Sequence, residues 1–170
     1  MLRRITASEI VSLLMYKERD IKYRPNISYH ALEEGKRIHN RLGFDNAWLF
    51  RRYIFVDEEW WLVLGQPDKI DEKNGVILEL KTHQTRTAPD KLLTSAEIQC
   101  KVYCWLTGML KYAVYTYSVY SGKKQKRLEK KADLMDAENI IRTAIRLKKK
   151  LYQLADEYTK EKEKLLGGLQ

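Results

Sequence analysis

The chain has only two cysteines, Cys100 and Cys104, so no disulfide framework is open to it. No apolar run approaches the roughly 20 residues that a membrane-spanning helix needs. Its first residues, MLRRITASEI, are basic but carry no apolar h-region, so they do not read as a secretory signal. No internal repeat and no low-complexity stretch is visible. These absences point to an intracellular, cytoplasmic protein of a reducing compartment, with no membrane partner.

What is present is the composition of a folded domain. The 170 residues suit a single domain, 1–170, with little left over for a second. A chain of this size buries about 70% of the surface its unfolded form exposes. At 44% hydrophobic and 32% charged residues it is globular rather than disordered. The net charge of +9 favours anionic partners. That charge is concentrated: residues 122–150 hold eleven basic residues and four acids, so this stretch carries +7 and the remainder +2. The segment, opened by Lys123, Lys124, Lys126 and Arg127, is either an electrostatic footprint for phosphate or a solvated Lys-rich face. Heavy Lys and Glu usage of this kind also marks the surfaces of heat-adapted proteins.

Hydrophobic spacing gives the elements. Thr6 and Glu9 form a capping box, and Ile5 can staple onto Ile10. Ile10, Leu13, Leu14 and Lys17 then mark a short amphipathic helix, broken by Tyr23-Arg24-Pro25-Asn26. A second helix is expected from Ser28 to a stop at Gly43, with Leu32, Gly35, His39 and Leu42 on one face. Residues 47–56 and 60–64 form a hairpin around Asp57-Glu58-Glu59, and Gly65-Gln66-Pro67 interrupts the second strand. An Asn74-Gly75 turn leads into a strand over 76–82. A third helix over 94–110 has a stripe of Ile98, Val102, Trp105 and Met109, and a strand over 112–120 follows. A short strand over 126–131 and a long final helix, about 136–166, complete the chain. On that helix Ile140, Ala144, Leu147, Leu151, Leu154 and Tyr158 share a stripe. The order is that of a mixed α/β domain with a hairpin-rich central sheet.

The chemistry lies in Gly65-Gln66-Pro67-Asp68 and in Glu79-Leu80-Lys81. Side chains alternate along a strand, so Ile77, Glu79 and Lys81 point one way while Leu78 and Leu80 point the other. The strand is otherwise apolar, so the acid and the lysine are half-buried charges that need partners or a metal. The Asn-Gly turn brings Asp68 back beside Glu79, and two carboxylates converging at a strand bend can hold a hard divalent cation. Each residue also has an ordinary reading. Asp68 could cap a turn, and Glu79 and Lys81 could be a structural ion pair. Gln99 and Tyr103 could be unremarkable residues of an amphipathic helix, while Asp71 initiates a turn. His30 and His83 belong to no motif and read as surface residues, and the two cysteines as buried apolar ones. Trp48, Trp60, Trp61 and Trp105 suit a core or a sheet face better than a base-stacking platform.

Asp68, ten intervening residues, then Glu79-Leu80-Lys81 resembles the PD-(D/E)xK nuclease signature, including the literal Pro67-Asp68. Three further matches are similar to its RecB and Cas4 branch: Gly35-x-x-x-His39, Gly65-x-x-Asp68 and Gln99-x-x-x-Tyr103. The opening Ile5–Ile10 also resembles the helix that begins such domains. The resemblance implies a restriction-endonuclease-like α/β core with a mixed central sheet flanked by helices. It implies metal ligation by His39, Asp68, Glu79 and the backbone carbonyl of Leu80. Lys81 would orient or deprotonate the attacking water and offset charge on the scissile phosphate, and Gln99 and Tyr103 would position Lys81 or the nucleic acid. Magnesium is the family's usual cofactor and manganese is often accepted. The chain departs from Cas4 proteins in lacking four cysteines: Met15-Tyr16 stands where the first is expected, so no iron–sulfur cluster is expected here. RecB's helicase parts are absent as well.

The expected activity is metal-dependent hydrolysis of DNA phosphodiester bonds, exonucleolytic or endonucleolytic. A non-catalytic DNA-binding module using the basic 122–150 segment, and a junction-resolving dimer of the same fold, remain as alternatives. Assembly into a homo-oligomer stays open.

Overall fold

A computed structural model describes residues 3–15, 29–45 and 47–167. Lys17, Tyr16, the break at Tyr23–Asn26 and the expected helix start at Ser28 lie outside the described residues. The chain runs β1 (Arg3–Thr6), α1 (Ala7–Met15), α2 (Tyr29–Arg41), β2 (Phe50–Val56), β3 (Glu59–Gly65), β4 (Lys69–Asp71) and β5 (Val76–His83). It continues through α3 (Asp90–Thr107), β6 (Lys111–Ser118), β7 (Lys123–Lys131) and α4 (Leu134–Gly167).

The strands divide between two mixed sheets, in orders β1-β3-β2 and β4-β5-β6-β7. The β2–β3 hairpin closes through Asp57 and Glu58, both at positive φ (46° and 66°), which is the twist that a two-residue hairpin turn requires. In the second sheet β5 and β6 run parallel, with antiparallel β4 and β7 at the edges. Asp71 opens the β4–β5 turn by taking both the backbone and the side-chain N–H of Asn74.

Helix α3 is the hub, packing on β2, β3, β5, β6, α1 and α4. The main core gathers around it, with Ile5, Ile10, Trp61, Val63, Ile77, Val102, Tyr112, Val114, Ile141 and Ile145 among its buried members. The other face of the second sheet holds a smaller core of Ile38, Phe44 and Leu80 beneath α2.

Thr6 and Glu9 make the expected capping box, each side chain accepting the other's backbone N–H at 3.1 and 2.8 Å. A strand was not expected before it; β1 pairs in parallel with β3 along Arg3–Thr6. Helix α3 starts at Asp90 rather than at residue 94, because Pro89 precedes it and an acid suits its first turn. It ends at Thr107, because Gly108 adopts a left-handed conformation (φ 79°) and donates its N–H to Cys104 O. Of its expected stripe, Val102 and Trp105 are buried, while Ile98 and Met109 are only partly so.

On α2 it is Ile38 that is buried, not Leu32, which is 51% exposed. Strand β7 is longer than expected: it begins at Lys123, immediately after the left-handed Gly122. Helix α4 starts at Leu134, capped by Asp133, which accepts the N–H of Met135 and of Asp136. Its buried residues are Ala137, Ile141, Ala144 and Ile145, whereas Leu154 and Tyr158 of the expected stripe are exposed. None of the described helices is long and apolar enough to cross a membrane.

Candidate functional site

The site forms where β5 outruns its neighbour. Strand β4 pairs with β5 only as far as Lys69 opposite Leu78. Beyond that point the Asp68 side chain replaces the missing strand, its Oδ2 accepting the Leu80 N–H at 2.8 Å. A strand residue sends its N–H and C=O to the same edge, so the Leu80 carbonyl leaves on the side of Asp68. The other oxygen, Asp68 Oδ1, lies 3.4 Å from His39 Nδ1 on α2. The Asp68 contact raises the His39 imidazole above its ordinary pKa, against the opposing pull of burial.

Glu79 and Lys81 point to the α3 side of β5, as alternation requires. Glu79 is 1% exposed. Its Oε1 accepts from Lys81 Nζ at 2.7 Å, and the same ammonium donates to Gln99 Oε1 at 2.7 Å. Gln99 Nε2 in turn donates to the Tyr103 hydroxyl at 2.6 Å. Four of the expected site residues are therefore one hydrogen-bonded chain. Gln99 and Tyr103 lie one helical turn apart on α3, the spacing that puts them on one face.

Burial pushes the Glu79 carboxyl up to about 7; the Lys81 ammonium pulls it back and the Asp68 charge adds to the rise. Burial pulls Lys81 down, but the Glu79 carboxylate outweighs it and holds the ammonium above its ordinary value. Burial likewise pushes up the Tyr103 hydroxyl. Among the described residues, Glu79 Oε2 is buried with no hydrogen-bond partner.

A cleft of about 960 Å³ opens on the α2 side, lined by His39, Asp68, Gly35, Phe44, Thr82 and His83 among others. Glu79 and Lys81 are not part of its lining; they lie across β5 from it. Among the described residues, no three His, Cys, Asp or Glu side chains form a group spaced to hold a metal ion as they stand. His39, Asp68 and Glu79 are nevertheless close enough to act on one another's charge, with His39 on α2 and Glu79 on the α3 side of β5. The groups able to serve as ligands are Asp68, Glu79, the Leu80 carbonyl and His39.

Of the expected nucleic-acid residues, Gln99 and Tyr103 are in the hydrogen-bonded chain and the basic ones lie elsewhere. Lys123, Lys124, Lys126 and Arg127 are on β7, two strand spacings or about 10 Å from β5. Much of the basic 122–150 stretch is neutralised by acids outside it. Lys130 pairs with Glu97, Arg146 with Asp57, Lys148 with Glu9 and Lys149 with Glu59. Lys126 pairs with Glu129, and Arg142 with Glu138, inside the stretch. Acids distant in sequence thus come to lie against these cations, which a local charge count does not register. His83, expected to be a surface residue, is half-buried and lines the cleft. It is the last residue of β5, beside Thr82 and Gln84 in the lining, and no motif in the sequence pointed to it. Trp61 and Trp105 are core residues, while Trp48 and Trp60 are exposed.

No family model and no curated protein matches the chain. Solved structures do. The crystal structure of SSO0001 is similar at a TM-score of 0.62 and 18% identity, over 86% of this chain and 77% of that one. That of an alkaline exonuclease, LHK-Exo from Laribacter hongkongensis, is similar at 0.58 and 13% identity, over 95% and 94%. The same exonuclease in complex with dAMP is similar at 0.52 and 13% identity, over 92% and 93%. At such identities the shared property is the fold, a restriction-endonuclease-like α/β arrangement of two mixed sheets flanked by helices.

Proposed function

We propose that the chain is a divalent-metal-dependent nuclease that hydrolyses DNA phosphodiester bonds, nearest in its motifs to the RecB and Cas4 branch of the PD-(D/E)xK nucleases. The observation that carries this reading is the Glu79–Lys81 pair. A buried ion pair is a poor source of stability, and this one leaves Glu79 Oε2 buried and unpartnered beside a second carboxylate. A bound cation would satisfy that oxygen. Two carboxylates, a backbone carbonyl and an imidazole form a donor set suited to magnesium or manganese. The likeness to an exonuclease over nearly the full length of both chains supports the same reading and favours attack from a DNA end.

In this role Asp68, Glu79, the Leu80 carbonyl and His39 would hold the metal. When bound, the cation polarises a phosphate oxygen and acidifies a coordinated water. Lys81 orients the attacking water and offsets charge on the scissile phosphate. Gln99 fixes the direction of the Lys81 ammonium, and Tyr103 fixes Gln99.

The test is cleavage of linear and circular DNA, single- and double-stranded, with magnesium, manganese or calcium, scored separately from binding. Cleavage that needs magnesium or manganese, and a preference for linear DNA, is expected. Binding without cleavage under any metal would leave a DNA-binding module, and a preference for four-way junctions would indicate a junction-resolving enzyme.

A further inference from the structure

The α2 side of the second sheet carries cations that form no ion pair among the described residues, although the charge of one of them, Lys69, is felt by Asp71 on the same strand. Register separates the two faces of β7. Lys124 is opposite Tyr117 and Lys126 opposite Tyr115, on the side of the smaller core, whereas Lys123 and Lys130 are opposite Ser118 and Tyr112 on the α3 side. Lys126 is held by Glu129 and Lys130 by Glu97. Lys124 is different: its ammonium lies over Phe44 at 5.6 Å and over Tyr115 at 5.6 Å. From the opposite edge of the sheet Lys69 brings a second ammonium to the same Phe44 ring, at 5.8 Å. Arg41 stacks on Tyr117 at 5.4 Å and donates to its hydroxyl at 2.7 Å. Among the described residues, none of these three cations makes an ion pair, and Asp45, next in the chain to Phe44, joins neither lysine.

Bringing two ammonium groups to one ring is a weak arrangement by itself. Each exposed cation–π contact contributes roughly 0.5–1 kcal/mol, and the two charges repel. A phosphate between or beside them removes the repulsion and adds charge-assisted hydrogen bonds, which are stronger than the ring contacts. Phe44 also lines the cleft that holds His39 and Asp68. Asp68 is the residue before Lys69, so the cation pair begins at the candidate ligands themselves.

We propose that Lys69, Lys124 and Arg41, gathered by Phe44 and Tyr117, form a binding row for consecutive phosphates of a nucleic-acid strand and lead that strand's backbone to the Asp68 edge. The proposal rests on the nuclease reading for the strand's destination. It narrows the basic segment to one face of β7 and adds Lys69 and Arg41, which lie outside it.

The test uses the full chain and a short fluorescein-labelled DNA strand, with binding read by anisotropy in EDTA across a salt series. Lys69→Gln and Lys124→Gln should each flatten the log–log salt slope by about 0.7 to 0.9, and together by about twice that. Lys130→Gln, on the other face, should leave the slope unchanged. Phe44→Leu should weaken binding several-fold without changing the slope, because it keeps the charges and loses the ring that gathers them. Parental slopes in Lys69→Gln and Lys124→Gln, or an equal loss in Lys130→Gln, would overturn the row, as would a parent that binds no DNA. The nuclease reading fails separately: a parent that binds with these slope losses but cleaves with no divalent metal keeps the row and loses the enzyme.

Discussion

Gly65 lies against the ring of Tyr103: a Cβ at Gly65 would come 2.9 Å from Tyr103 Cε1 and 2.7 Å from Leu106 Cδ1. No L side chain fits there without movement. The glycine of Gly65-x-x-Asp68 is thus tied to the last residue of Gln99-x-x-x-Tyr103. Gly65→Ala should cost about 1–3 kcal/mol through overpacking. It should also lower cleavage, because displacing Tyr103 loosens Gln99 and then Lys81. Gly108→Ala is the control. It forces a left-handed alanine at a cost of about 1–2 kcal/mol, but among the described residues nothing lies within 4 Å of the added carbon. Denaturation midpoints should fall in both variants, and the cleavage rate only in the first.

Glu79 and Lys81 should separate by role. Glu79→Gln keeps an acceptor for Lys81 Nζ and removes the charge, so the fold should hold while cleavage and metal affinity fall together. Lys81→Ala should retain metal binding and lose rate. Removing one positioned electrostatic or acid–base group costs on the order of 10²–10⁴ in rate. Asp68→Ala should resemble Glu79→Gln, with the further loss of the acceptor for Leu80 N–H. Both acid variants should still bind DNA, since each removes a negative charge facing phosphate. Metal affinity by calorimetry, measured beside single-turnover cleavage, checks this. Undiminished cleavage in Lys81→Ala and Glu79→Gln would refute the site.

The cysteines should be dispensable for chemistry. Cys100 and Cys104 are free and fully buried on α3, and burial pushes the Cys104 thiol up to about 12 and Cys100 well above its ordinary value. Thiols so far from ionisation are poor metal ligands and poor nucleophiles, and two of them cannot complete a four-thiolate cluster. Anaerobically purified protein should carry no stoichiometric iron. A Cys100→Ala, Cys104→Ala variant should cleave at the parental rate with reduced stability. Visible charge-transfer absorbance with bound iron would contradict this.

Much of the site was legible because its residues are local in sequence. Asp68, Glu79 and Lys81 lie within fourteen positions, joined by a turn with an Asn-Gly signal, and strand alternation alone puts Glu79 and Lys81 on one face. The Lys81–Gln99–Tyr103 chain needed only one helix packed over one strand. What was not legible depends on partners distant in the chain. Strand β1 exists because β3 offers it a parallel neighbour, and four residues carry little pattern of their own. The basic 122–150 segment looked like one patch because the acids that neutralise Arg146, Lys148 and Lys149 are some ninety or more residues away, at Asp57, Glu9 and Glu59. The Phe44 cluster was hidden for the same reason, since it joins the segment after α2 to β4 and β7.

The capping carboxylate of α1 contributes one part of the pH dependence of stability. Glu9 accepts the Thr6 N–H through Oε2 and the Lys148 ammonium through Oε1 at 2.8 Å, tying the first helix to the last. Burial pushes its carboxyl up, but the Lys148 ammonium and the Thr6 N–H outweigh burial and hold it below its ordinary value of 4.5. A group whose pKa is depressed on folding stabilises the fold above its unfolded value and loses that contribution as pH falls through the folded value. Glu9→Gln can still cap the Thr6 N–H, so what it removes is the charge. At neutral pH the variant should be less stable than the parent by a few tenths to about 1 kcal/mol, the range for a partly exposed pair. The difference should shrink below pH 4.5 and vanish once the parental carboxyl is protonated. It should also shrink in high salt, which screens exposed pairs. Urea denaturation of both proteins at neutral pH and at pH 3 checks the expectation. An equal gap at both pH values would assign the effect to the shape of the glutamine rather than to the lost carboxylate.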